Sequence, residues 1–261
     1  AKPSLRERAL VPHYLFDYVS SPHEVTAAQY VRDFYSCVEA LPENIPLFVV
    51  GGTGFYFLAL ERGMYPVTPV AEEVKEEIKE ILRAPGGPER LYEELCTKDP
   101  AYAQKIHSAD HYRLGRALEL IRTQGRSVTE IQEEFAAASA DFPFSVLKVG
   151  PQWVKEDLAQ RIQLRTRKMM EAGLVAEVRA LLDQGLESWA PLQSVGYRET
   201  VLALKGEIPM TELEALIAQG TRQLAKKQKT WFQRDKEIHW CAGGDEGFPQ
   251  ARALVEKFLT S

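Results

Sequence analysis

Three sets of residues in this chain have types and spacings suited to chemistry. The first is Gly51-Gly52-Thr53-Gly54, placed directly after the apolar run Leu47–Val50 and before a helix-forming stretch. A strand that runs through glycines into a helix presents backbone N–H groups and the positive end of a helix dipole to a ligand, and Thr53 adds a hydroxyl there. The same cluster is also what an ordinary tight strand-to-helix turn looks like. It is not a P-loop, because GxxxxGK[ST] needs a lysine that VGGTGFYF lacks and that no other part of the chain supplies.

The second set is cationic. Arg161, Arg165, Arg167 and Lys168 form one run without a carboxylate; Arg222, Lys226, Lys227, Lys229 and Arg234 form another. Counting about 100° per residue from Val154, Arg161 and Arg165 fall inside or beside the apolar stripe of Leu158, Ile162 and Met169. A guanidinium facing the interior unpaired costs several kcal/mol, so both are expected to meet carboxylates, as a structural ion pair, or an anionic ligand. Farther on, Leu213, Ile217, Gly220, Leu224 and Trp231 gather on one side of a helix and Arg222, Lys226, Lys229 and Gln233 on the other. Such a stripe can track a phosphate backbone or be a solvated lysine face; the absence of any intervening carboxylate favours binding.

The third set is His107 and His111, four residues apart as in a zinc pair, with Arg113 and Arg116 following. HSADH lacks the glutamate of HExxH and no third ligand is evident, so no metal site is expected; Ser108 reads as a helix cap. Arg113 and Arg116 lie on a helix whose core face is Leu114, Leu118 and Ile121, and structural and functional readings of that pair are balanced.

The elements that must position these residues follow from periodicity. Helices are predicted over 27–41, from Phe55 to Arg62, and over 88–95, 100–106, 109–124, 127–137, 154–172, 174–184, 197–204, 211–233 and 249–259, with charged helical segments after the linker 65–69. Strands are predicted at Leu47–Val50, Phe144–Val149 and Ile238–Cys241. This is an α/β core of 1–70 and 141–261 with an all-helical insertion at 71–140. Three strands are few for so many helices, so part of the sheet is expected to lie outside the given sequence.

With 261 residues and 45% apolar content, the chain can build its core without disulfide or metal staples. Its longest uncharged stretch, Ile45 to Leu60, is too short to span a bilayer and is interrupted by glycine, so no membrane span is expected. AKPSLRERAL has no apolar signal region, and Cys37, Cys96 and Cys241 read as reduced, which points to the cytoplasm. The net charge of −5 does not suggest a nucleic-acid binder, so binding would depend on the two local cationic runs.

The segments AKPS, VGGTGFYFLAL, DPAYAQKIH, DHYRLGRALE, RIQLRTRKMMEAGLVAEV, QSVGYRET and TRQLAKKQKTWF occur in the order found in tRNA dimethylallyltransferases, and the resemblance covers nearly the whole chain. It implies a P-loop NTPase-like parallel-sheet core with a helical insertion that helps clamp the tRNA anticodon stem-loop. The implied activity is transfer of a dimethylallyl group from dimethylallyl diphosphate to the N6 amine of an adenosine beside the anticodon. Mg²⁺ would bridge the diphosphate, and a monomer is expected. Carried over residue by residue, the resemblance implies that Thr53 lies at the reaction channel near the target adenosine and that Arg165, with Arg161, holds the diphosphate. It implies tRNA contacts for Lys75, for Tyr112, Arg113 and Arg116, for Gln193, Gly196, Tyr197 and Arg198, and for Arg222, Lys226, Lys227 and Lys229.

The chain departs from the family pattern at Lys75, where arginine is common, at Tyr112, where glutamine is usual, and at Gln233, where arginine is usual, although Arg234 is adjacent. AKPS matches the tail of the family's GTAKP element, which implies that the P-loop and the segment bearing the catalytic aspartate lie upstream of Ala1. These residues alone are therefore expected not to transfer a prenyl group. Two rivals remain: an adenylate isopentenyltransferase acting on a free nucleotide, and a catalytically incompetent RNA-binding fragment.

Overall fold

The computed structural model describes residues 5–23, 25–43, 45–65, 69–138 and 142–260. The AKPS segment lies outside them. The chain divides into two compact units, one made of Ala1–Phe57 and Pro143–Ser261 and the other of Leu58–Phe142. The helical unit therefore starts at Leu58 instead of 71. Tyr65 belongs to it because its ring meets that of Phe135 edge-on, 6.2 Å between centroids.

In the first unit, α1 (Leu5–Arg8) and α2 (Ala27–Glu39) precede α3 (Gly54–Arg62), inside which the unit boundary falls. Thr26 caps α2 by accepting from the Gln29 N–H at 3.2 Å. After the helical unit come β1 (Val149–Gln152), α9 (Lys155–Glu171), α10 (Leu174–Asp183), α11 (Tyr197–Leu204), α12 (Leu213–Phe232), β2 (His239–Ala242) and α13 (Phe248–Thr260). The core of this unit is Leu174, Val178, Ala203, Leu213 and Ile217, against which Met169, Met170 and Tyr197 pack. Burial of these side chains fixes α10, α11 and α12 together, and α9 lies along α12.

The sheet differs from expectation. Among the described residues it has two parallel strands, β1 and β2, with Val149 opposite His239 and Gln152 opposite Ala242. Pro151 is tolerated in β1 because each strand of a pair is an edge with a free side. The predicted strand Phe144–Val149 begins only at its last residue. The predicted buried strand Leu47–Val50 forms no ladder and is solvent-exposed, with Phe48 at 72% and Val50 at 84%. An apolar run becomes a buried strand only when neighbours supply hydrogen bonds and cover both faces, and the described residues provide neither.

The helical unit contains α4 (Glu72–Arg83), α5 (Gly87–Lys98), α6 (Pro100–Ala103), α7 (His111–Gln124) and α8 (Val128–Ala138). Ile78, Leu91, Leu95, Leu114, Leu118 and Val128 form its core. A Cβ on Gly87 would overlap the Ile81 carbonyl, so the turn between α4 and α5 admits only glycine there. Asp99 is buried and accepts from the Tyr102 N–H at 3.0 Å and from the Thr129 N–H and hydroxyl at 2.9 and 2.7 Å, which ties α6 to α8. Arg122 grips Glu94 with two donors, at 3.2 and 2.6 Å, and reaches Glu77 at 3.0 Å. The Arg122 hydrogen bond holds the Glu94 carboxyl below its ordinary pKa.

Candidate functional site

The glycine-rich turn and the basic end of α12 meet. Thr53 is exposed at the start of α3, where its carbonyl accepts from the Tyr56 N–H at 3.0 Å. On either side of it, a Cβ on Gly52 would collide with the Gln228 amide and a Cβ on Gly54 with the Trp231 indole. The Phe57 and Phe232 rings, 6.0 Å apart and edge-on, extend the contact. Gly54 is therefore needed for close approach of the indole, whereas at Gly52 the flexible Gln228 amide can move aside. Thr53 is left as a hydroxyl at a helix N-terminus, flanked by an amide and a half-exposed indole.

Arg222, Lys226, Lys227 and Lys229 are exposed on α12, and among the described residues no carboxylate stands within ion-pair distance of any of them. Lys226, Lys227, Thr230, Trp231 and Arg234 line an open concavity. Uncompensated cations in such a row attract phosphates, and Lys229 also lies in the last helical turn, where the dipole favours positive charge. Leu224 and Trp231, on the apolar side of α12, are 43% and 38% exposed; the buried residues of α12, Leu213, Ile217 and Ala218, all precede Thr221.

The arginines of α9 are also placed differently from expectation. Arg161 and Arg165 are exposed and do not meet carboxylates among the described residues. The buried face of α9 centres on Ile162 and Thr166, which puts the arginines at its margin, where water takes the place of an internal partner. The Arg161 guanidinium lies 4.4 Å from the Trp153 ring centroid, a cation–π contact. Arg167 sits 3.6 Å from Glu214, and Arg165 is left as an open guanidinium on the same helix.

The QSVGYRE segment divides into scaffold and surface. Gly196 is buried at φ 97°, a backbone conformation that disfavours side chains, and its N–H donates to Glu199 Oε2 at 2.7 Å. Thr200 donates to the Gly196 carbonyl at 2.6 Å. Tyr197 donates to Glu177 Oε1 at 2.5 Å, and burial together with that carboxylate pushes its pKa up to about 12. Gly196 and Tyr197 thus shape the segment, while Gln193 and Arg198 are exposed to a ligand. Arg198 donates to the buried Glu199 at 2.7 Å. Glu199 organises both sides of this turn and is absent from the sequence-derived site; the signal that could have revealed it is a glutamate at the third position of a helix.

In the helical unit, Tyr112 is 82% exposed at the start of α7. Lys75 pairs with Glu72 at 2.8 Å, Arg113 with Asp110, and Arg116 with Glu119 at 2.7 Å. Asp110, not Ser108, caps α7 by accepting from the Arg113 N–H at 3.1 Å, and that bond leads the lowering of its pKa. His107 accepts the Ala109 N–H at 3.1 Å within the preceding turn. Unlike the cations of α12, Lys75, Arg113 and Arg116 carry their own carboxylates, so a phosphate would compete for them. Among the described residues no three of His, Cys, Asp or Glu are grouped to hold a metal ion.

The family model for IPP transferases matches residues 1–235. The chain belongs to the IPP transferase family. The tRNA dimethylallyltransferase of Bdellovibrio bacteriovorus is 55% identical over 259 residues, covering 99% of this chain and 84% of that protein. Its Synechocystis counterpart is 36% identical over 241 residues, covering 92% and 76%. Among family structures, the full-length tRNA isopentenylpyrophosphate transferase of Bacillus halodurans aligns with a TM-score of 0.66 at 25% identity, covering 99% of this chain and 80% of that one. A eukaryotic dimethylallyltransferase acting on tRNA shares the fold with a TM-score of 0.77 at 24% identity, covering 99% and 68%. The family match ends within the loop before β2, so β2 and α13 lie beyond it. Among the described residues no helix is long and apolar enough to cross a membrane.

Proposed function

We propose that this chain acts in transfer of a dimethylallyl group from dimethylallyl diphosphate to the N6 amine of an adenosine beside the tRNA anticodon. The observation that carries the reading is the seating of the Gly52-Thr53-Gly54 turn against Gln228 and Trp231, beside a row of unpaired cations, in a member of this family. An exocyclic adenine amine is a weak nucleophile. As the N6–C1 bond forms, the C1–O bond breaks, the diphosphate leaves with the electron pair, and the amine gives up a proton. The site must therefore neutralise the leaving group, hold the amine in line and exclude water that would compete for C1. The adenosine must also be unstacked, a cost that contacts to the loop offset.

In this reading Thr53 offers a polar contact at the amine, and Arg165, with Arg161 beside it, meets the diphosphate. Arg222, Lys226, Lys227 and Lys229 take RNA phosphates, with Gln193 and Arg198 forming a further contact on the segment that Gly196 and Tyr197 shape, and Lys75, Tyr112, Arg113 and Arg116 another. The first unit is taken as the P-loop NTPase-like core and the all-helical unit as the insertion that helps hold the stem-loop; the uninterrupted run of helices from α4 to α8 supports this. Mg²⁺ would enter with the diphosphate, whose oxygens supply most of its ligands in sites of this kind.

Free adenylate as acceptor is the second reading. The exposed cationic row of α12 favours RNA, since a mononucleotide does not need an extended phosphate track. The expectation that these residues are inactive alone finds no support in the Bdellovibrio alignment, which takes in 99% of the chain. The test for all three readings is incorporation of label from dimethylallyl diphosphate, offered beside an unmodified anticodon stem-loop or AMP. Labelled RNA is expected. Labelled AMP alone would favour the second reading, and RNA binding without transfer would favour a binding-only protein.

A further inference from the structure

A second concavity of the first unit, about 400 Å³, is lined by Val19, His23, Val25, Tyr56, Trp189, Ala190 and Pro191. Its two large aromatics are held by their polar tips. The Trp189 indole N–H donates to the His23 carbonyl at 3.2 Å, and the Tyr56 hydroxyl donates to the Val25 carbonyl at 3.3 Å. Tyr56 is also stacked on Tyr30, with centroids 4.8 Å apart and rings inclined by 16°. With those donors engaged, the concavity offers a guest mainly fixed apolar and aromatic surface. No lysine or arginine lines it, so it suits an uncharged flat group better than a phosphate or diphosphate.

Its position links it to the candidate RNA surface. Tyr56 begins α3 by donating its N–H to the Thr53 carbonyl, and Ala190 and Pro191 open the 3-10 turn that ends at Gln193. The glycines beside Thr53 touch the basic half of α12. We propose that this concavity receives an unstacked nucleobase of the RNA next to the acceptor adenosine, held by stacking and apolar contact while the phosphates are held elsewhere. The proposal rests on the reading of the chain as acting on tRNA and names a subsite within that reading. Base–aromatic stacking tolerates any base, so this contact would position the loop without reading its sequence.

The test uses the full chain and anticodon stem-loops carrying a single 2-aminopurine at each position flanking the acceptor. One flanking position is expected to change fluorescence on binding. Trp189→Ala should abolish that change and weaken RNA binding by about 5- to 150-fold, the range given by loss of one stacked base. Trp189→Phe should restore most of both. Ala190→Leu fills the concavity without removing its walls and should act like Trp189→Ala, which covers the case in which the tryptophan variant unfolds. RNA binding with a 2-aminopurine response unaltered in Trp189→Ala or Ala190→Leu would overturn the subsite alone. Quenching of Trp189 by dimethylallyl diphosphate without RNA would assign the concavity to the prenyl chain and also overturn it. Absence of RNA binding by the unaltered chain would overturn both the subsite and the functional reading.

Discussion

Gly54 lies so close to Trp231 that a single added carbon would overlap the indole. This contact fastens the Thr53 turn to the basic end of α12, so it can be tested as a coupling between two positions. Gly54→Ala should destabilise the chain by about 1–3 kcal/mol through overpacking. Trp231→Ala removes the obstacle, and the double variant should recover part of the Gly54→Ala loss in a thermal melt. Additive losses would show that the two do not meet in solution.

Charge neutralisation on α12 should act on RNA affinity through salt. Lys226→Gln with Lys229→Gln is expected to weaken stem-loop binding and to reduce the slope of log affinity against log salt by about 0.7–0.9 for each phosphate that is no longer neutralised. Arg116→Gln, whose cation already has Glu119 beside it, should change the slope less. The measurement is fluorescence anisotropy across a salt series; an unchanged slope in the double lysine variant removes those residues from phosphate binding.

Arg165 has a different assigned partner, so its variants should separate chemistry from binding. In an active preparation Arg165→Ala is expected to lower prenyl transfer by at least about 100-fold, as loss of a charge-stabilising donor does, with stem-loop affinity nearly intact. Arg165→Lys should also be impaired, because an ammonium cannot reproduce a two-point guanidinium grip. Normal turnover at saturating RNA with reduced RNA affinity would place Arg165 on the RNA.

The helical unit should lose stability in acid by a traceable route. Glu94 has its pKa lowered from 4.5, chiefly by the Arg122 hydrogen bond. A carboxyl lowered by folding contributes stability above its ordinary value, and that stability is lost as pH falls through the lowered folded value. Glu94→Gln should reduce the melting temperature at pH 7 and flatten its fall between about pH 5 and the acid limit. Parallel pH profiles for the two proteins would show that the Arg122 pair carries no linkage.

The run Leu47–Val50, just before the Thr53 turn, is an exposed apolar surface. Extended, uncovered apolar backbone invites pairing with another chain. Phe48→Lys and Val50→Lys should therefore lower self-association in light scattering while leaving the melting temperature nearly unchanged, since neither side chain is buried. A large fall in melting temperature would mean that the run is covered in solution.

Helical periodicity made most of the helices legible, α7 and α9 to α12 among them, because a helix writes its buried face into residues three and four apart. The carboxylate-free stretch from Arg222 to Arg234 and a helix directly after the glycine cluster, expected from Phe55 and found from Gly54, were equally local. Periodicity does not say which element covers a face. For that reason Arg161 on Trp153, the exposure of Arg165, and Gln228 and Trp231 against the glycines are decided only by the tertiary structure. Strands expose the same limit more sharply. A helix satisfies its own backbone, whereas an apolar run such as Leu47–Val50 becomes a strand only through partners distant in sequence. Composition marks such a run as able to pair, and the packing around it decides whether it does.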